Sequence, residues 1–71
     1  MKIMAKGTEI KINLLTKGYS QKQFSELIPL SESAFSNFIN RRTAISPTKA
    51  NKIRELLNVE FDSLFFIEGG D

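Results

Sequence analysis

Pro29 divides the stretch Ser20 to Asn40, SQKQFSELIPLSESAFSNFIN, into two short apolar periods that one continuous helix cannot join. Proline has no N–H to donate, and its ring drives the residue before it away from helical angles, so a helix arriving from Ser20 must stop near Leu27. Ser20 with Gln23 three residues on forms a capping box that opens this first period, and Phe24, Leu27 and Ile28 form its apolar stripe. Ser31 offers the next N-cap. Ala34, Phe35, Phe38 and Ile39 then mark one face of a second helix ending at about Asn40. Helices so short and so close cannot lie antiparallel along their length. They must cross steeply over shared side chains, and Phe24, Ile28, Leu30, Phe35 and Phe38 stand where such a crossing requires them.

The flanking segments read as helices too. Thr8 can cap a helix carrying Glu9 in its first turn, with Ile10, Leu14 and Leu15 at helical spacing and Gly18 as its end. Arg41 to Ile45 has no period and reads as a basic loop. Ser46-Pro47 is a strong start signal, followed by Ala50, Ile53, Leu56 and Leu57, and Asn58 suits a left-handed C-terminal position. Phe61, Leu64 and Phe65 predict one or two further helical turns. No segment alternates as a strand should. The expectation is an all-α, compact five-helix domain over residues 6–67, with 1–5 and 68–71 as flexible ends. Its predicted core is Phe24, Ile28, Phe35, Phe38, Ile53, Leu57 and Leu64.

A chain of 71 residues has room for one such core. It holds no cysteine or histidine, and its carboxylates show no metal-site spacing. Neither GxxxxGK[ST] nor GxGxxG occurs, so the reading is of a protein that is no enzyme and carries no cofactor, metal or small-molecule ligand. No apolar run reaches the ~18 residues of a membrane span, and nothing suggests export, which predicts a cytoplasmic, nucleoid-associated protein. The net charge of +2 conceals a division. Residues 1–54 hold all ten Lys and Arg against three acids, net +7, while residues 55–71 hold five acids and no base, net −5. Such a chain can offer one positive face to a polyanion.

Two capped helices around a tight turn make a helix-turn-helix, which projects its second helix so that the N-terminal half can enter a DNA major groove. Glu32, Ser33, Ser36 and Asn37 lie on the exposed side of that helix and are the candidate base readers. Asn37 can pair bidentately with adenine, the serines can donate or accept, and Glu32 can accept from a cytosine amino group. For Glu32, a favourable interaction with the helix dipole is the competing reading.

The order of motifs resembles the Cro and phage-repressor family, also called the XRE family, over roughly residues 8–65. The shared features are Lys17-Gly18, Ser20-Gln21, Phe24, Ser31 and the closing Asn58-Val59-Glu60-Phe61-Asp62-Ser63-Leu64-Phe65. The resemblance implies a lambda-repressor-like fold and places a phosphate contact on Gln21. It also assigns backbone contacts to Asn40, Arg41, Arg42 and Thr43; by charge, Lys17, Lys22 and Lys49 are further candidates for the phosphate-facing rim, against the alternative of ordinary exposed lysines. It further implies a homodimer contact at the C-terminal end, here Leu64, Phe66 and Ile67, against the alternative that these residues simply cap the core. One departure is clear: Pro29 stands where the family turn usually carries a left-handed glycine, so the turn must follow another path. The implied function is a repressor, of prophage or mobile-element type, that binds a palindromic operator in double-stranded DNA as a homodimer. The alternative is a protein-interaction module of the same fold with little DNA binding.

Overall fold

The computed structural model describes residues 1–69. Five helices follow in order: α1 (Gly7–Lys17), α2 (Gln21–Leu27), α3 (Glu32–Ile39), α4 (Pro47–Leu57) and α5 (Phe61–Leu64). Two short strands, β1 (Lys2–Ala5) and β2 (Phe65–Glu68), frame them.

Local sequence signals set most helix ends. Ser20 accepts from the Gln23 N–H at 3.0 Å, and the Gln23 side chain accepts from the Ser20 N–H at 3.1 Å, which closes the capping box at α2. Ser31 caps α3 through the Ala34 N–H at 3.0 Å, and Ser46 caps α4, with Pro47 as its first residue. Each such cap contributes about 1 kcal/mol by satisfying an N–H that the helix itself cannot. Gly18 (φ 82°) and Asn58 (φ 55°) end α1 and α4 in the left-handed region.

The turn between α2 and α3 takes the other path that Pro29 demands. Among the described residues only Gly18, Arg41 and Asn58 have positive φ, so nothing in this turn is left-handed. Ile28, which Pro29 is expected to drive from helical angles, instead keeps them (φ −81°, ψ −16°) as the C-terminal cap of α2, and the Leu30 N–H reaches back to the Ser25 carbonyl at 2.7 Å.

Three expectations need correction. Thr8 does not cap α1. That helix begins one residue earlier, at Gly7, with Lys6 at the cap position and no side-chain cap bond. Nor is the N-terminal end loose, since Lys2–Ala5 forms β1 and pairs antiparallel with β2 in the register Lys2↔Glu68, Ile3↔Ile67, Met4↔Phe66 and Ala5↔Phe65. Finally, the last helix, one turn as the shorter of the two lengths expected, ends at Leu64 without Phe65, and Phe65–Glu68 runs as strand where no strand was expected; of the C-terminal residues expected to be loose, Gly70 and Asp71 lie outside the described residues. The reason is tertiary. Strands of four residues are too short to display an alternation that sequence can reveal, and Met4, Ala5 and Phe65 are buried because the strands lie against the helical core.

All seven predicted core residues are buried, joined by Ala5, Ile10, Leu14, Ile39, Ile45, Ala50 and Phe65. Leu15, placed in the α1 stripe from spacing alone, is 82% exposed. Gly7 packs so closely on the end of α3 that a Cβ there would overlap the Ile39 carbonyl oxygen. Ser25 is the one buried polar residue among those described, and its hydroxyl donates to the Lys22 carbonyl at 2.8 Å.

Candidate nucleic-acid interface

Helix α3 has two unlike sides. Phe35, Phe38 and Ile39 are buried, which fixes the helix against the core, and Glu32 and Ser33 are exposed on the opposite side with Ser36 and Asn37 half-buried beside them. Phe24 stacks on Phe35 with ring centroids 5.7 Å apart, so the crossing of α2 over α3 rests on the aromatic pair that the sequence spacing suggested.

Because of that crossing, the start of α2 faces the start of α3. Gln21, Glu32, Ser33, Ser36 and Asn37 together line an open hollow of about 350 Å³. All four candidate base readers therefore meet in one place, joined by the residue expected to hold a phosphate. Every polar group there can donate or accept a hydrogen bond, and none is committed to the core. Lys22 stands exposed in the first turn of α2.

Past the end of α3 the expected phosphate residues divide. Arg42 and Thr43 are exposed, and Asn40 donates from Nδ2 to the Ser36 hydroxyl at 3.4 Å, which holds it beside the hollow. Arg41 points elsewhere. Its backbone is left-handed (φ 61°), its Nε donates to the Ala5 carbonyl at 3.0 Å, and its guanidinium lies 5.3 Å from the centre of the Phe66 ring. This side chain ties the end of α3 to both strands, an arrangement unreadable in sequence because its partners lie in the two terminal segments.

Of the expected dimer contacts, Leu64 is fully buried in its own chain and its carbonyl accepts from the Lys6 N–H at 2.8 Å, so it is a core residue and cannot meet a partner. Phe66 is half-buried under Arg41, and Ile67 is 47% exposed.

Among the described residues no cluster of His, Cys, Asp or Glu could hold a metal ion, and no helix is long and apolar enough to cross a membrane.

Comparison with known proteins agrees with the helix-turn-helix fold. The helix-turn-helix family model matches residues 10–64. No curated protein matches the chain. Among solved structures, one similar chain is a protein from Bacteroides fragilis described as a candidate DNA-binding protein. It superposes with a TM-score of 0.71 at 25% identity, over 90% of this chain and 98% of that one. The transcriptional regulator VanUg shares the fold with a TM-score of 0.70 at 18% identity, over 93% of this chain and 87% of the other.

Proposed function

The chain belongs to the helix-turn-helix family, and on that premise we propose that it is a sequence-specific DNA-binding transcription regulator, a repressor that occupies a palindromic operator as a homodimer. The observation that carries this reading is the hollow at the junction of α2 and α3. It gathers Gln21, Glu32, Ser33, Ser36 and Asn37 on the free side of a helix whose other side is locked into the core.

The first half of α3 enters the major groove in this reading. Asn37 pairs with an adenine edge, Ser33 and Ser36 bond to adjacent base edges or water, and Glu32 selects against bases that cannot donate to it. Gln21, Lys22, Asn40, Arg42 and Thr43 hold phosphates on either side and fix the register without reading sequence. Arg41 belongs to this group only through the guanidinium nitrogens not engaged by Ala5. Regulation is by occupancy of the operator, with no chemical step. A prophage or other mobile element is the proposed setting, and the cytoplasmic nucleoid the proposed location.

Two copies are required because one α3 buries too little surface to single out a site in a genome. Two half-sites about 34 Å apart multiply the discrimination.

Selection from random duplex DNA at moderate salt tests the proposal. Recovery of a palindromic motif with half-sites about one helical turn apart is the expected result. A well-folded protein that enriches no sequence would overturn it in favour of a protein-interaction role.

A further inference from the structure

The two edges of the terminal ribbon differ. Antiparallel strands alternate between residues whose N–H and C=O face the partner strand and residues whose groups face away. The Lys6 N–H to Leu64 carbonyl bond fixes the phase: Lys2, Met4 and Lys6 face β2, and Ile3 and Ala5 face outward. On the outer edge of β1 both carbonyls are taken, Ile3 by the Ile45 N–H at 3.2 Å and Ala5 by Arg41 Nε at 3.0 Å. On β2 the outward residues are Phe65 and Ile67. The Phe65 N–H is used by the Phe61 carbonyl, which leaves the Phe65 carbonyl and both backbone groups of Ile67 without a partner among the described residues.

We propose that this open edge of β2 is the homodimer contact, pairing antiparallel with β2 of a second copy in the register Ile67↔Ile67, so that two ribbons form one four-stranded sheet. The proposal rests on the dimeric reading above and names its surface. Only this register satisfies all the free groups. Ile67 exchanges both of its bonds with its counterpart, and the Gly69 N–H of each copy donates to the free Phe65 carbonyl of the other, giving four bonds about the two-fold axis. Shifting the pairing by two residues, the smallest shift that keeps outward-facing groups opposed, sets Phe65 opposite Ile67 and asks Phe65 for an N–H already engaged by Phe61.

Side chains and charge agree with the register. Paired residues share a sheet face, so Ile3 and Ile67 of one copy continue into Ile67 and Ile3 of the other as an apolar stripe that covers the half-exposed Ile67. On the opposite face, Glu68 of each copy meets Phe66 of the other in the closely spaced, non-hydrogen-bonded type of pair. Arg41 stands over that Phe66, so the carboxylate of one copy comes beside the guanidinium of the other. An open strand edge is otherwise a liability that proteins cover or charge, and a second copy covers this one.

The test is sedimentation of the full chain, alone and with the operator duplex recovered by selection. Ile67→Pro removes only an outward N–H and leaves every bond between β1 and β2 intact. The expected result is a dimer for the native chain and at least a tenfold weaker dimerisation for I67P, with unchanged helical circular dichroism. Should I67P unfold, Ile67→Cys decides instead: in a chain with no native cysteine, opposed Cα atoms about 5.5 Å apart allow a disulfide under mild oxidation, and Asn51→Cys on α4 serves as the control. Cross-linking of I67C well ahead of N51C supports the register. Equal cross-linking, or an I67P chain that dimerises as the native one does, overturns this edge while leaving the dimeric reading standing. A native chain that sediments as a monomer both alone and on its duplex overturns both.

Discussion

The helix-turn-helix and the terminal ribbon are held together by opposite kinds of interaction. In α2 and α3 the defining bonds run between residues three apart, Ser20 with Gln23 and Ser31 with Ala34. In the ribbon they join the two ends of the chain, as in Lys6 with Leu64, or span 36 residues, as in Arg41 with Ala5. The difference separates function from architecture. The hollow at α2 and α3 consists of side chains that the core does not need, so its chemistry can change at little structural cost. The ribbon has no such freedom, because Gly7, Ala5 and Arg41 together fix where the end of α3 sits.

Five substitutions test that division, beginning with the largest effect. Phe65 is 1% exposed and packs on Phe38 and Phe61, so Phe65→Ala should cost about 3–5 kcal/mol in denaturant unfolding, a large share of the total for so small a domain. A loss below about 1 kcal/mol would show that the ribbon is not part of the cooperative core. Gly7→Ala offers a test of sign. Helix propensity favours alanine by about 1 kcal/mol, yet contact with the Ile39 carbonyl should make the variant less stable by about 1–3 kcal/mol. A raised melting temperature would mean that α1 and α3 can move apart freely.

On the other side of the comparison, Asn37→Ala should leave stability within about 0.5 kcal/mol while weakening operator binding by about 1–3 kcal/mol and altering base preference at one position. Uniform weakening on every duplex would remove Asn37 from the base readers. Ser31→Ala removes the cap of α3 and should lower unfolding stability by about 1 kcal/mol, measured by thermal melting. The smallest expected change belongs to Arg42→Ala, which should reduce the salt dependence of DNA binding by about one unit of slope without shifting preference. An unaltered slope would leave Arg42 as a solvated side chain.

Much of the helical framework was legible because it is encoded locally. Pro29, the serines at 20, 31 and 46, and Asn58 act on backbone groups within a few residues, so their identities suffice. The same holds for the exposed side of α3, since a helix that buries Phe35 and Phe38 must turn Ser33 and Ser36 outward. Thr8 shows the limit. It is a sound cap by type, but β1 delivers the chain into α1 at Gly7 and leaves Thr8 inside the first turn. Leu64 shows another, because an apolar residue in a terminal run can belong to the core or to a surface, and only the packing of α5 on α1 and α4 decides which. The contrasting behaviour of Arg41 and Arg42 was likewise invisible, as two adjacent arginines in a basic loop carry no mark of where each points.

By itself the sequence determined the helix-turn-helix, its caps, its proline-bearing turn and the polar side of α3, since each follows from steric and hydrogen-bonding rules acting over one helical turn. The tertiary structure alone decided that the two ends of the chain meet as a ribbon, that Arg41 anchors α3 to it, and that the outer edge of β2 has backbone groups with no partner among the described residues. Those outcomes depend on which distant backbone groups are brought within bonding reach, and short-range patterning has no means of recording that.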